Sequence, residues 1–210
     1  MSYRSYTLEN FEEALGAKSS VPGGGGAAGY AAALSAALGR MVIAFTVGKK
    51  AYAEWEDTLL DCRRRLWDLG QRALDSIDRD AEVFEPLSRA YGLPKTTPAE
   101  EEKRRAVLEV CLLEAASSPL ELLRLCDELT GALEEAAAHG SRLMRSDAAC
   151  AAALCRSSMT CALMNVYINT RLMTNREKAE AMNREAEALA AKNDRRLAAV
   201  SDRITEELKK

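Results

Sequence analysis

The chain has 210 residues, with 29 lysines and arginines against 32 aspartates and glutamates, for a formal net charge of −3. That length allows one large domain or two small ones with a sizeable core. The basic residues are scattered among acidic ones, which excludes the charge stripe of a nucleic-acid binder, and the acidic excess is too small for a disordered solvating chain. Ala, Leu, Glu and Arg dominate and aromatic residues are few, a balance that predicts helix over sheet.

In chain order, Thr7 caps a short helix whose Leu8, Phe11 and Leu15 share one face, and Gly16 ends it. Residues 19–26 (SSVPGGGG) read as a loop. From Ala27 to about Val47 a helix carries small residues on every side, with Gly29, Ala33, Ala36 and Gly39 permitting close backbone approach. Such a helix belongs at the centre of a bundle. The stretch from Val21 to Val47 is the one candidate membrane segment, but its Ala/Gly content and Arg40 favour a buried helix, and it lacks the layout of a secretory signal. From Ala51 an amphipathic pattern places Leu59, Leu66, Gly70, Ala73, Ile77, Phe84, Leu87 and Tyr91 near one stripe, with a kink expected at Pro86.

Residues 92–98 (GLPKTTP) form a second loop, and Pro98 suits the first turn of a new helix with Glu100, Glu101 and Glu102 at its positive end. Pro119 is expected to kink or restart this helix, which continues to Ala138. Residues 140–145 form a third loop. Ser146 is the expected cap of an all-round apolar helix from Asp147 to about Met173, and Thr174 or Asn175 caps a charged final helix. No strand, repeat or dividing linker is evident, so residues 1–210 are expected to form a single all-α, multi-helix bundle with long central helices. The six cysteines lack C-x-x-C spacing and read as reduced, buried, small apolar residues of a cytoplasmic protein.

Three features could carry chemistry. Asp80 falls inside the apolar stripe between Ile77 and Phe84, whereas Asp68, Asp75, Asp78 and Glu82 lie on the far side or flank. A carboxylate there is costly unless paired or protonated. Desolvation would raise its pKa into the range of a general acid/base; a structural ion pair or a tolerated edge position is the other reading. Ser158, Asn165 and Asn169 form a polar row in an apolar run, the two asparagines four apart. They suit either a heteroaromatic ligand with mixed donors and acceptors or bonds between helices. Gly23, Gly24, Gly25 and Gly26 open onto a helix N-terminus, a potential anion site. No G-K-[ST] follows and no strand precedes, so neither the P-loop nor the dinucleotide fingerprint applies. Asp147 at a helix start is explained by the helix dipole. The only histidine, His139, reads as a solvated loop residue, and no metal-site spacing exists.

Taken together, VPGGGGAAGYAAALSAALGRMVIAFTVGKK, IDRDAEVFEPLSRAYGLPKTTPAEEEKRR, GSRLMRSDAACAAAL and NVYIN resemble, in order, the conserved blocks of the formimidoyltetrahydrofolate cyclodeaminase/methenyltetrahydrofolate cyclohydrolase family, from Ser19 to about Arg171. The resemblance implies an all-helical homodimer with a reduced folate as substrate, no metal or redox cofactor, and no nucleic-acid or membrane partner. It maps the catalytic acid onto Asp80, with the Gly23–Gly26 loop, Asp147, Asn165 and Asn169 as partners by position. Asn165 and Asn169 would orient the pterin, and the Gly23–Gly26 loop with Lys49 or Lys50 would hold the glutamate-tail carboxylates. It implies cyclodeamination of 5-formimidoyl-tetrahydrofolate or, alternatively, hydrolysis of the 5,10-methenyl compound; a non-catalytic folate-binding or structural protein is the remaining reading. The transferase domain often fused to such domains is not among these residues, so a partner enzyme is expected to be separate. Three departures stand out: Gly26 where the family has Ser, Ser141 where it has Asn, and Pro86 where its helix continues.

Overall fold

A computed structural model describes residues 2–210. Its α-helices are α1 (Leu8–Gly16), α2 (Gly24–Ala44), α3 (Glu56–Tyr91), α4 (Pro98–His139), α5 (Arg145–Thr170) and α6 (Arg176–Leu208). Short 3₁₀ helices occupy Tyr3–Ser5, Lys50–Trp55 and Arg142–Met144, and no strand occurs among the described residues.

The small-residue helix α2 lies between α3 and α5; α6 packs on the other side of α5, and α4 lies behind α3, α2, α5 and α6. Close approach explains the need for small residues. A methyl on Gly29 would overlap the Ser76 hydroxyl and lie 3.0 Å from the Ala73 carbonyl of α3. On Gly39 it would lie 2.9 Å from Leu133 and 3.0 Å from Leu66. The buried hydroxyls of Ser35 and Ser158 donate across the α2–α5 seam to the carbonyls of Ala151 (2.7 Å) and Ala28 (2.8 Å). Core leucines of α3 and α4, including Leu59, Leu66, Leu123 and Leu129, fill the space behind.

Cross-helix partners fix the directions. Gly25 of α2 meets Asp80 late in α3, while Gly39 meets Leu66 early in it. Arg72 pairs with Glu128 and Arg79 with Glu114 between α3 and α4. Tyr167 bonds Glu187, and Arg156 pairs with Asp194, between α5 and α6. Each of these pairs is antiparallel. One end of the bundle therefore gathers the N-termini of α2, α4 and α6 with the C-termini of α3 and α5.

Several sequence expectations are corrected. The glycine run is not all loop: Gly24–Gly26 form the first turn of α2. Pro86 lies inside α3, which continues to Tyr91, and its missing N–H and the carbonyl it deprives are on the exposed side, where water can substitute. Pro119 does not restart α4, which runs unbroken for 42 residues. Here the carbonyl freed by the proline belongs to buried Ala115, and the Asn169 side chain donates to it at 3.0 Å. One helix thus repairs the hydrogen-bond gap in another. Replacing Asn169 with Ala is expected to strand that carbonyl and cost about 1–3 kcal/mol, read as a lowered thermal midpoint; a midpoint equal to wild type would remove this role.

Ser146 lies inside the first turn of α5 and is not its cap; Met144 is, without a side-chain bond. Asn175, not Thr174, caps α6. His139 ends α4 with its ring stacked on Trp55 at 3.7 Å, so it is not a loose loop residue. Cys62, Cys126 and Cys155 are buried, but Cys150 and Cys161 are exposed. Neither central helix is covered all round. Leu34 and Met41 of α2, Phe45 at its C-cap, and Met164 and Ile168 of the adjacent α5 are exposed. Two helical segments, 24–44 and 142–170, are long and apolar enough to cross a membrane, against the one expected.

Candidate active site

The two acids of the D-x-D pair separate because residues two apart lie about 200° round a helix. Asp78 faces outward and accepts bonds from Ser2 and the Tyr3 backbone, tying down the N-terminal turn. Asp80 faces the first turn of α2. The Gly26 N–H donates to Asp80 Oδ2 at 3.1 Å, using one of the amides that a helix start leaves unpaired. A methyl at Gly25 would overlap Asp80 Oδ1 and lie 2.6 Å from Oδ2, so only glycine lets the carboxylate settle here.

Burial pushes the Asp80 carboxyl above its ordinary value of 3.8, and the Gly26 amide partly opposes that rise. No ion pair engages Asp80 among the described residues, and no neighbouring cation contributes to its titration. The structural ion-pair reading therefore fails. What remains is a half-buried carboxylate at a helix start, able to take or give a proton nearer neutrality than a solvated acid.

The two asparagines flank the same turn. Asn165 rests against Gly24, where a methyl would lie 3.2 Å from its Nδ2. That nitrogen also donates to the Cys161 carbonyl of its own helix at 2.8 Å. Asn169 Nδ2 is held by the Ala115 and Asn165 carbonyls. The ligand and inter-helix readings thus divide between the two. Asn169 bridges helices, whereas Asn165 bonds only within α5 and lies beside the glycine turn. Ser158 is buried and bridges to α2. Gly23 caps α2 with no side chain, and the Gly24 and Gly25 amides stay unpaired within the helix. A methyl on Gly26 would meet Ile77 and Pro22 at 3.5 Å, an ordinary contact, so the missing family serine reflects no lack of room.

Lys49, Lys50 and Asp147 do not join this group. Lys49 and Lys50 follow the C-terminal end of α2, and Asp147 lies in the first turn of α5, at the opposite end of the bundle. Eighteen residues separate Asp147 from Asn165, roughly 27 Å along the helix. Within one chain these three cannot contact a ligand held at the Asp80 carboxylate. The near end instead carries basic residues that no sequence pattern singles out. Lys95, Arg104 and Arg105 line a cleft of about 430 Å³ with Tyr91, Leu108 and Leu112. They stand in the LPK and KRR stretches, but nothing in their spacing sets them beside Asp80.

Fold and site together define an all-helical protein organised around one desolvated carboxylate at a helix N-terminus. A family model described as formiminotransferase-cyclodeaminase matches residues 7–188, and the chain belongs to that family. It is 35% identical over 203 residues to a methenyltetrahydrofolate cyclohydrolase of Methylorubrum extorquens, covering 97% of this chain and 96% of that protein. It is 33% identical over 169 residues to the formimidoyltransferase-cyclodeaminase of Mus musculus, covering 80% of this chain but only 31% of the mouse protein. The crystal structure of a formiminotetrahydrofolate cyclodeaminase from Thermotoga maritima superposes with a TM-score of 0.81 at 27% identity, covering 96% of this chain and 98% of that one.

Proposed function

We propose that this chain is a folate one-carbon enzyme acting at the carbon that bridges N5 and N10 of tetrahydrofolate, as a formimidoyltetrahydrofolate cyclodeaminase. The observation that carries the reading is the Asp80 carboxylate, raised in pKa and free of any cation, beside a glycine helix start and Asn165. In this reaction N10 attacks the formimidoyl carbon. Asp80 accepts the N10 proton and passes it to the formimidoyl nitrogen. With a further proton from solvent, the C–N bond to that nitrogen breaks and ammonia leaves. The product is the 5,10-methenyl cation, whose positive charge a nearby carboxylate stabilises. Asn165 and the Gly24 and Gly25 amides orient the pterin.

A second reading, methenyltetrahydrofolate cyclohydrolase, is favoured by the near end-to-end match to a relative of that name. Water then adds to the same carbon and Asp80 takes its proton; Asp80 passes that proton to N5 as the N5–carbon bond opens, and the carbon-bound hydroxyl loses its own proton to solvent, leaving the 10-formyl compound. Supplying each substrate to the purified protein separates the two: ammonia release from the formimidoyl compound supports the first, and loss of methenyl absorbance supports the second. Folate binding with neither turnover would leave a non-catalytic binder.

The chain is further proposed to act as a homodimer in the cytoplasm, through the uncovered apolar face of α2 and α5. Two adjacent helices about 30 Å long and 10 Å wide present roughly 600 Å² of face, near the per-partner area of a standard interface. Light scattering in detergent-free buffer is expected to give twice the 22.9 kDa chain mass, and Met41→Glu to reduce it to one. A wild-type monomer, or a chain recovered only with membranes, would overturn this arrangement.

A further inference from the structure

Resting on the folate reading above, we infer that the cleft between the end of α3 and the start of α4 is the subsite for the glutamate tail, with Lys95, Arg104 and Arg105 receiving its carboxylates. The cleft lies at the same end of the bundle as the proton-transfer site, and two routes connect them. Along α3, Tyr91 lies eleven residues beyond Asp80, roughly 16 Å and three turns further on, and only about 20° round the helix. Along α4, Leu112 in the cleft wall is one turn from Ala115, whose carbonyl holds Asn169. Since α2 begins at Gly24, it does not cover α3 beyond Asp80, and there Phe84 is half-buried and Tyr91 exposed while Leu87 stays in the core. An extended folate with its pterin at Gly24 and Asp80 would run along Phe84 toward Tyr91. Tyr91 is 43% exposed and offers its ring to the aminobenzoyl group.

The charges suit an acidic end group. Most arginines on the helix seams pair with acids: Arg65, Arg72, Arg79, Arg124 and Arg156 each do so. No ion pair engages Lys95, Arg104 or Arg105 among the described residues, although Glu101 and Glu109 line the same cleft. Glu109 is already engaged: it accepts from the Thr174 backbone and hydroxyl and from the Asn175 backbone. Arg104 is half-anchored, donating to the Tyr91 carbonyl at 3.3 Å, while its Nε is buried without a partner. Anchored through Nη2, the guanidinium is held in place in the cleft wall, which suits pairing with a carboxylate. Lys49 and Lys50, the carboxylate partners expected from sequence, lie at the opposite end of the bundle.

The test is steady-state kinetics on 5,10-methenyl- and 5-formimidoyl-tetrahydrofolate, each with one glutamate, beside the pteroate analogues that lack it. Lys95→Ala and Arg105→Ala, both at exposed positions, are expected to raise KM for the glutamate-bearing substrate about tenfold with kcat within about twofold. With the pteroate analogue, wild type and variants should be alike. The double variant Lys49→Ala/Lys50→Ala is expected to leave KM unchanged. A KM that moves equally with and without the glutamate, that does not move in either cleft variant, or that moves only in the far-end pair overturns the subsite while the folate reading stands. A wild type that turns over neither substrate removes both together.

Discussion

Asp80→Asn is expected to lower turnover at least about a hundredfold while making the protein more heat-stable at pH 8. The activity loss follows from the loss of the one group at the glycine turn that exchanges a proton. The stability gain follows from linkage. Burial holds the Asp80 carboxyl above its ordinary value in the folded chain, so ionising it favours the unfolded state. Below the ordinary carboxylate pKa both states are protonated and there is no penalty. The penalty grows as pH rises between the unfolded and folded values and is complete above the folded one. The variant cannot ionise, and its amide oxygen still accepts from Gly26. Its advantage in thermal midpoint should therefore be absent in acid and reach a plateau toward neutrality. In the wild type, the acid limb of kcat/KM should lie above the range of a solvated carboxylate. Wild-type turnover in this variant, or a stability difference that ignores pH, would refute the assignment.

The second large effect is expected at a residue with no functional group. Gly25→Ala places a methyl where Asp80 Oδ1 now lies, forcing the carboxylate away from Gly26 and the turn proposed to bind substrate. Turnover should fall by about a hundredfold or more, comparable to removing the acid itself. A general loss of helix does not account for such a fall, because alanine favours helix over glycine by about 1 kcal/mol. Unchanged circular dichroism with lost activity is the expected pair of results. Activity near wild type would mean that the carboxylate need not sit on the glycine turn.

Some of this was legible in the residue order. The phase of Asp80 against Ile77, Phe84 and Leu87 marked it as the acid on the wrong side of its helix, and the structure leaves it there without an ion pair. The spacing of Gly29 and Gly39 signalled close approach, which the contacts with Ser76, Leu66 and Leu133 bear out. The prolines were less readable. Pro119 looks like a break in isolation, and only the arrival of Asn169 from another helix repairs the carbonyl it frees.

The covalent order of residues determined, by itself, the helices, their apolar stripes and the anomalous carboxylate, because each depends on periodicity over a few turns. The tertiary structure decided which end of the antiparallel bundle each polar residue occupies. That choice separates Lys49, Lys50 and Asp147 from Asp80 and brings Lys95, Arg104 and Arg105 to its side of the molecule. The physical reason is that helix direction and neighbour order are set by packing among distant segments, and no local pattern encodes the distance between them.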